Sequence, residues 1–137
     1  MAIRYLLDTN TASFIVRASP PEVLDHLDEV SMEQTAISTV TEAELLFGIE
    51  RKPNAKQLRA LSMEFLERVT ILPWDSSSAR SYSHLRTKLE TAGRPLGAMD
   101  MMIASQALAA DIVLVSSDRA FRQVPGLKLE DWTVPLR

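Results

Sequence analysis

Four carboxylates of this chain occupy positions where an acidic side chain needs a partner. They are Asp8, Glu44, Asp100 and Asp118. If the fold gathered them they would repel one another, and some would stay protonated unless cations joined them. The chain has no cysteine and only two histidines, far apart in sequence, so hard oxygen ligands favour Mg²⁺ or Mn²⁺ over zinc. Such ions lower the pKa of bound water and stabilise a phosphate under in-line attack, which is the chemistry of phosphodiester hydrolysis.

Two of the four acids follow apolar segments of strand length. Residues 3–7 precede Asp8, and residues 112–115 are separated from Asp118 by two serines. Continuous apolar runs of this length predict strands buried on both faces, as in a parallel sheet. In open α/β sheets ligands bind outside the carboxyl ends of the strands, so both acids would face one crevice. The alternative role for each acid is to cap the helix that follows.

Glu44 lies on a predicted helix, on the side expected to face the core. It falls within about 60° of Val40 and Phe47 around the helix axis, and Ala43 adjoins it in sequence. A carboxylate beside an apolar stripe is costly unless something pairs with it. By contrast Glu42 has a local structural role, because Thr39 and Glu42 match the spacing of a capping box.

Asp100 repeats this pattern on a later helix. Together with Ile103, Ala104 and Ala107 it follows the spacing of one helix face. Its alternative role is that of a first-turn acid favoured by the helix dipole. The four acids, two at strand ends and two on inward helix faces, would converge in a fold that gathers such positions.

Apolar runs and helical periodicity alternate along the whole chain. The predicted strands are 3–7, 35–38, 69–72, 112–115 and 127–129, and the predicted helices are 12–17, 22–29, 40–47, 56–68, 76–91 and 99–110, with a helical turn at 119–122. This alternation predicts a parallel sheet with helices on both faces. A length of 137 residues fits a single domain.

Composition limits the class of protein. The formal net charge of -3 argues against a protein held to nucleic acid by a broad basic face, but not against a nuclease whose acids are concentrated at a metal site. No apolar run reaches membrane-spanning length, and the N-terminus lacks the pattern of a signal peptide. The absence of cysteine suits a reducing compartment, so we expect a cytoplasmic protein without membrane contact.

Two other classes of function fit the residues less well. A phospho-acceptor signalling domain also places acids at strand ends, but it would need a basic partner after a later strand, where Val115 is followed by two serines. A nucleotide-binding module would need glycines in its first strand-to-helix turn, and no glycine precedes Gly48. A catalytically inactive interaction domain of the same fold stays open as an alternative.

Four short motifs hold the acids, and in order and spacing they resemble those of PIN-domain ribonucleases. The motifs are Leu7-Asp8-Thr9-Asn10, Ser38-x-x-Thr41-x-x-Glu44, Gly97-x-x-Asp100-x-x-Ile103-Ala104 and Val115-Ser116-Ser117-Asp118-x-x-Phe121. More narrowly, the chain resembles the VapC-type toxins of bacterial type II toxin–antitoxin pairs. Residues 93–97 and 129–132 resemble the enteric branch, whose members cut initiator tRNA in the anticodon stem-loop.

The resemblance implies a fold and a set of site residues. The fold would be a single three-layer domain over residues 1–137, with a parallel sheet of four or five strands in the order 3-2-1-4-5. The catalytic acids and metal ligands would be the four carboxylates, with Asp8 and Asp100 the principal ligands. Asn10 and Ser116 would orient this acidic cluster, and the cofactor would be Mg²⁺ or Mn²⁺.

The resemblance also implies partners. The chain would be a metal-dependent endoribonuclease toxin acting on tRNA, and a small VapB-type antitoxin would silence it by inserting an arginine among the acids. It would form a homodimer or a toxin–antitoxin hetero-oligomer. Candidate contacts to RNA phosphates are Arg86, Lys88, Arg94, Arg119 and Arg122. A solvated helix face is the alternative explanation for each of these cations.

Overall fold

The computed structural model describes residues 2–136. Its strands are β1 (Tyr5–Leu7), β2 (Thr35–Ser38), β3 (Thr70–Leu72), β4 (Val113–Val115) and β5 (Leu129–Glu130). Its α-helices are α1 (Thr9–Arg17), α2 (Pro21–Val30), α3 (Thr39–Arg51), α4 (Lys56–Arg68), α5 (Ser76–Thr91) and α6 (Ala98–Ala110). Two short 3₁₀ helices span Met32–Gln34 and Arg119–Gln123.

The strands form one parallel sheet in the order β3-β2-β1-β4-β5, which confirms the predicted fold class and strand order. Strand β1 lies at the centre, with Leu7 in register with Ile37 on one side and with Val115 on the other. The pairing continues one residue further, because the Asp8 N–H donates to the Val115 carbonyl at 3.0 Å. The carboxyl ends of β1 and β4 therefore lie side by side.

Alternate residues of the central strands enter two separate cores, one on each face of the sheet. Leu6 and Leu114 belong to the core covered mainly by α5 and α6, while Leu7 and Val115 belong to the core covered by α1, α2 and α4. All four side chains are fully buried. Burial on both faces explains why these strands are continuously apolar rather than alternating.

Most predicted boundaries hold within a few residues, and the exceptions have local causes. Strand β5 begins at Leu129 rather than at 127, because the chain turns through Gly126 at a φ of 76° just before it. The predicted capping box at the start of α3 is wrong. The Ser38 hydroxyl caps this helix by accepting from the Val40 N–H at 3.0 Å, whereas the Thr39 hydroxyl accepts from the Trp74 N–H.

The end of the chain is fixed to the domain by Trp132, which is 1% exposed. Its ring packs against Tyr5 and stacks on His26, with centroids 5.6 and 5.8 Å away. Its indole N–H donates to a Glu130 carboxylate oxygen at 3.1 Å. Across residues 2–136 no helix combines the length and the apolar character needed to span a bilayer.

Candidate active site

Asp100 lies within electrostatic range of the other three sequence-predicted acids. Burial is the main cause that raises the pKa of Asp100, and repulsion from Asp118, Asp8 and Glu44 raises it further. These acids are contributed by the turn after β1, by α3, by the first turn of α6 and by the turn after β4. Two strand ends and two helices thus bring together side chains that are separated by up to about a hundred residues of sequence.

Asp8 is both a helix cap and a buried acid. Its side chain is almost inaccessible, and Oδ1 accepts the Thr11 N–H at 2.8 Å, which caps α1. Burial raises the pKa of Asp8 above its ordinary value, while hydrogen bonding by Ser116 and by the Thr11 backbone opposes the rise. Repulsion from Asp118 adds a smaller increase in the pKa. Asp8 is therefore both the cap of α1 and an acid of the cluster, the two roles that its place in the sequence left open.

Ser116 connects the acids at the ends of β1 and β4. Its hydroxyl accepts the backbone N–H of Asp118 at 3.0 Å, and its side chain also lowers the pKa of Asp8. Asp118 in turn caps the 3₁₀ helix Arg119–Gln123, because its Oδ1 accepts the Ala120 N–H at 2.9 Å. Asp118 is exposed, so its carboxylate is open to solvent at the edge of the cluster.

Glu44 is oriented by threonines that the sequence reasoning did not assign to the site. The Thr9 hydroxyl donates to Glu44 Oε1 at 2.5 Å, and Thr9 Oγ1 lies 3.2 Å from the Oγ1 of Thr41. Thr41 is fully buried one helical turn before Glu44. A buried hydroxyl needs a hydrogen-bond partner, and that requirement is the signal that could have identified the pair.

The prediction that Glu44 lies on a core-facing side of α3 is wrong. Ala43 is exposed and Phe47 is 61% exposed, although Val40 is buried. The residues of α3 that the fold buries are Val40, Thr41, Leu45 and Ile49. The side that carries Glu44 instead forms one wall of an open groove.

Oxygen ligands dominate the cluster, since His26 packs on Trp132 and His84 is exposed on α5. Among residues 2–136 no three Asp, Glu or His side chains are already arranged as ligands of one metal ion. The donor chemistry nevertheless suits a hard divalent cation. Such a cation would offset the burial and mutual repulsion that raise the pKa values of Asp8 and Asp100.

Two cavities adjoin the acids. The larger, of about 650 Å³, is the α1–α3 groove, which contains Thr9 and Glu44 and has mainly apolar walls. The residues lining this groove are Thr9, Ser13, Val16, Arg17, Ala43, Glu44, Leu45, Phe47, Gly48, Ile49, Arg51, Lys52, Leu58, Ser62 and Met99. The smaller, of about 230 Å³, is the Arg119 pocket, lined by Ser116, Ser117, Asp118, Arg119, Arg122, Leu129 and Asp131.

The remaining predicted residues divide into those beside the acids and those elsewhere. Asn10 is exposed on α1, and its side chain makes no hydrogen bond to another residue in the range 2–136. Arg86 on α5 bonds instead to Glu90 and to the Tyr82 hydroxyl, at 2.8 Å each. Lys88 and Arg94 are exposed outside both cavities. Of the five candidate cations, Arg119 and Arg122 are the two that line a cavity containing Asp118.

Comparison with known proteins gives consistent matches over almost the whole chain. The PIN domain family model matches residues 5–127. The tRNA(fMet)-specific endonuclease VapC of Shigella flexneri is 31% identical over 132 residues, covering 96% of this chain and 99% of that protein. Ribonuclease VapC2 of Rickettsia felis is 32% identical over 130 residues, covering 93% of this chain and 97% of the relative.

Solved structures agree with these sequence matches. The crystal structure of DNA-bound VapBC from Salmonella typhimurium superposes with a TM-score of 0.88 at 30% identity, covering 95% of this chain and 98% of that chain. VapBC2 from Rickettsia felis, bound to a DNA fragment from its promoter, gives a TM-score of 0.85 at 30% identity, with coverage of 96% and 99%.

Proposed function

Because this chain belongs to the PIN-domain family of VapC ribonucleases, we propose that it is a divalent-metal-dependent endoribonuclease and the toxin of a toxin–antitoxin pair. In this proposal residues 1–137 form one catalytic domain that acts in the cytoplasm. The observation that carries it is the convergence of carboxylates from four elements: Asp8 and Asp118 follow adjacent strand ends, Glu44 bonds to Thr9 next to Asp8, and Asp100 is close enough to the other three for repulsion to raise its pKa. An inactive interaction domain would have no use for this costly arrangement.

Each acid has a role that its surroundings support. Asp8, Glu44, Asp100 and Asp118 would hold Mg²⁺ or Mn²⁺, which when bound supplies a Lewis acid for the phosphate and a more acidic water. The Thr11 N–H holds Oδ1 of Asp8, and the Thr9 hydroxyl holds one oxygen of Glu44. These bonds orient the acids in advance, so that less reorganisation is needed when substrate binds.

The proposed substrate is tRNA. Relatives in Shigella flexneri and Salmonella typhimurium are named tRNA(fMet)-specific endonucleases, and both match at least 95% of this chain. We therefore take the anticodon stem-loop of initiator tRNA as the first substrate to test. Sequencing the ends of fragments that the purified chain makes from total tRNA would identify the RNA and the bond cut.

Three single variants test the nuclease assignment. Asp8→Asn and Asp100→Asn should lower cleavage about 100-fold or more, because each removes several kcal/mol of stabilisation of the transition-state charge. Asp28→Asn, an exposed acid on α2, is the matched control and should cleave at the wild-type rate. Cleavage should stop in EDTA and return with Mg²⁺ or Mn²⁺. Equal cleavage by all three variants would refute the assignment.

The α1–α3 groove is the proposed docking site of a VapB-type antitoxin. Its apolar walls carry the exposed side chains of Phe47 and Met99, and Glu44 is also among its lining residues. An amphipathic helix can bury its apolar face in such a groove, and an arginine next to it would reach the acids. The related Salmonella typhimurium and Rickettsia felis structures are VapBC complexes.

The partner proposal has its own test. We expect the product of the neighbouring open reading frame to co-purify with this chain as a hetero-oligomer. Purified without that product, the chain is expected to form a homodimer. Phe47→Glu should weaken that complex by at least tenfold while tRNA cleavage continues. Leu136→Glu, an exposed apolar position outside the groove, should leave the affinity unchanged. Equal affinities of the two variants would place the antitoxin elsewhere.

A further inference from the structure

The Arg119 pocket lies on the β4 side of the acidic cluster and differs in chemistry from the α1–α3 groove. It shares no lining residue with that groove. Asp118 belongs both to the pocket and to the group of acids that raises the pKa of Asp100. A group held in this pocket would therefore sit directly beside the place where the proposed reaction occurs.

Two arginines of the pocket project from the same side of a short 3₁₀ helix. Arg119 and Arg122 are three residues apart, and a 3₁₀ helix has three residues per turn, so their side chains lie one above the other. Both are exposed, and neither takes part in a salt bridge within residues 2–136. Their guanidinium donors are therefore available to a ligand.

The acids of the pocket already have hydrogen-bond donors. Asp131 accepts from the Thr133 N–H at 2.9 Å and from the Thr133 hydroxyl at 2.6 Å. Asp118 accepts from the Ala120 N–H in its capping role. These donors hold Oδ1 of each carboxylate, and neither acid forms a salt bridge with Arg119 or Arg122, so the two arginines keep their own donors for an incoming anion.

We propose that the Arg119 pocket binds an RNA phosphate adjoining the scissile one, with Arg119 and Arg122 as its ligands. The inference rests on the proposed nuclease function and adds a substrate contact to it. A guanidinium fork matches the oxygens of a phosphate in a bidentate manner. The volume of about 230 Å³ is below that of sites for drug-sized ligands, which suits a phosphate group better than a whole nucleotide.

The pocket also reconciles an RNA substrate with the net charge of -3. Cleavage needs a few well-placed cations next to the acids rather than a basic surface over the whole domain. The structure supplies two such cations at the edge of the cluster where Asp118 is exposed. RNA would reach the acids across the Arg119 pocket, whereas the α1–α3 groove, whose walls are mainly apolar, suits a protein.

The first arm of the test compares two double variants that remove the same charge. Arg119→Gln with Arg122→Gln should lower kcat/KM for RNA about 10- to 100-fold, as expected for lost hydrogen bonds to a charged group. Arg59→Gln with Arg68→Gln, two exposed positions on α4 outside both cavities, should change it less than twofold. All four positions are exposed, so both proteins should melt within about 2 °C of wild type. Arg119→Lys with Arg122→Lys should recover part of the activity.

The second arm locates the phosphate. Oligonucleotide substrates carry one neutral methylphosphonate at each linkage in turn around the cleavage site. For wild type and the Arg59/Arg68 double variant, a neutral group at one linkage next to the cleavage site should lower activity. For the Arg119/Arg122 double variant, the same neutral group should cause no further loss, because the arginines that bind that phosphate are already gone. Additive losses at every linkage, or equal effects of the two double variants, would overturn the proposal.

Binding of fluorescently labelled RNA without metal separates this proposal from the nuclease assignment. If wild type binds RNA without metal but does not cleave it once Mg²⁺ or Mn²⁺ is added, and the Arg119/Arg122 double variant binds at least tenfold more weakly than the Arg59/Arg68 double variant, the phosphate site stands and the nuclease assignment fails. If wild type cleaves and the two double variants cleave alike, the nuclease assignment stands and the phosphate site fails. Absence of both binding and cleavage would overturn both.

Discussion

Asp8 caps α1 and carries a buried charge, and two substitutions separate these contributions to stability. Asp8→Asn removes the charge but keeps an oxygen that can accept the Thr11 N–H, whereas Asp8→Ala removes both. Loss of such a cap costs about 1 kcal/mol. An unfolding entropy of about 2.1 cal/mol/K per residue over this chain converts that cost into about 3.5 °C. We therefore expect Asp8→Asn to melt about 3 to 4 °C above Asp8→Ala at pH 7 in EDTA.

The charge contributes with the opposite sign. Burial raises the pKa of Asp8 in the folded state above the value of 3.8 for the free side chain, so the ionised form is disfavoured by folding. The penalty grows as the pH rises above 3.8 and is complete once the pH exceeds the folded pKa, so at pH 7 Asp8→Asn should be more stable than wild type. As the pH falls through the folded pKa towards 3.8, wild type binds the proton and the penalty disappears. The stability gap between wild type and Asp8→Asn should narrow accordingly.

Thermal melts followed by circular dichroism at pH 7, 6, 5 and 4.5 measure both effects. Added Mn²⁺ at about 100 times its Kd should stabilise wild type by about 2.7 kcal/mol, or roughly 9 °C, and Asp8→Asn by much less. The reasoning is refuted if Asp8→Asn melts no higher than wild type in EDTA at pH 7, or if their gap is independent of pH. Equal melting of the Asn and Ala variants would show that the cap contributes nothing.

Two further changes test other parts of the structure. Glu44→Gln keeps an acceptor for the Thr9 hydroxyl and removes the charge, so melting should stay within about 2 °C of wild type while tRNA cleavage falls at least tenfold. A loss of folding in this variant would contradict the role given to Thr9. Trp132→Ala empties a buried site against Tyr5 and His26 and should cost about 3 to 5 kcal/mol, lowering the melting temperature by about 10 °C or more. A shift below 3 °C would show that the chain end is not anchored there.

The fold could be predicted because its main signals are local. Continuous apolar runs ended by polar residues identified β1 and β4, and parallel strands bring such ends to one edge of the sheet. The positions of Asp8 and Asp118 followed from that rule without any long-range information. The strand order came from the resemblance of the four motifs to a known family, and the structure confirms it.

The surroundings of Glu44 could not be predicted in the same way. Helical periodicity places Glu44 and Phe47 on one side of α3, but it does not say whether another element covers that side. In the fold nothing within residues 2–136 buries Phe47, and a groove results. The hydrogen bond from Thr9 spans 35 residues of sequence, so no local pattern encodes it. The Thr39 hydroxyl likewise accepts the N–H of Trp74, 35 residues away, and the cap of α3 is made by Ser38 instead.

Capping and metal binding are compatible roles, and the geometry of α/β folds explains why. A helix that starts where a parallel strand ends places its cap at the edge of the sheet where ligands bind. The cap bonds of Asp8 and Asp118 each use Oδ1, which leaves Oδ2 outside the cap. The backbone N–H groups of the first turn also stabilise the negative charge, which lowers the cost of gathering carboxylates. A capping acid at a strand end is therefore a better candidate for a catalytic site than the same acid elsewhere, and its structural role is no evidence against its chemistry.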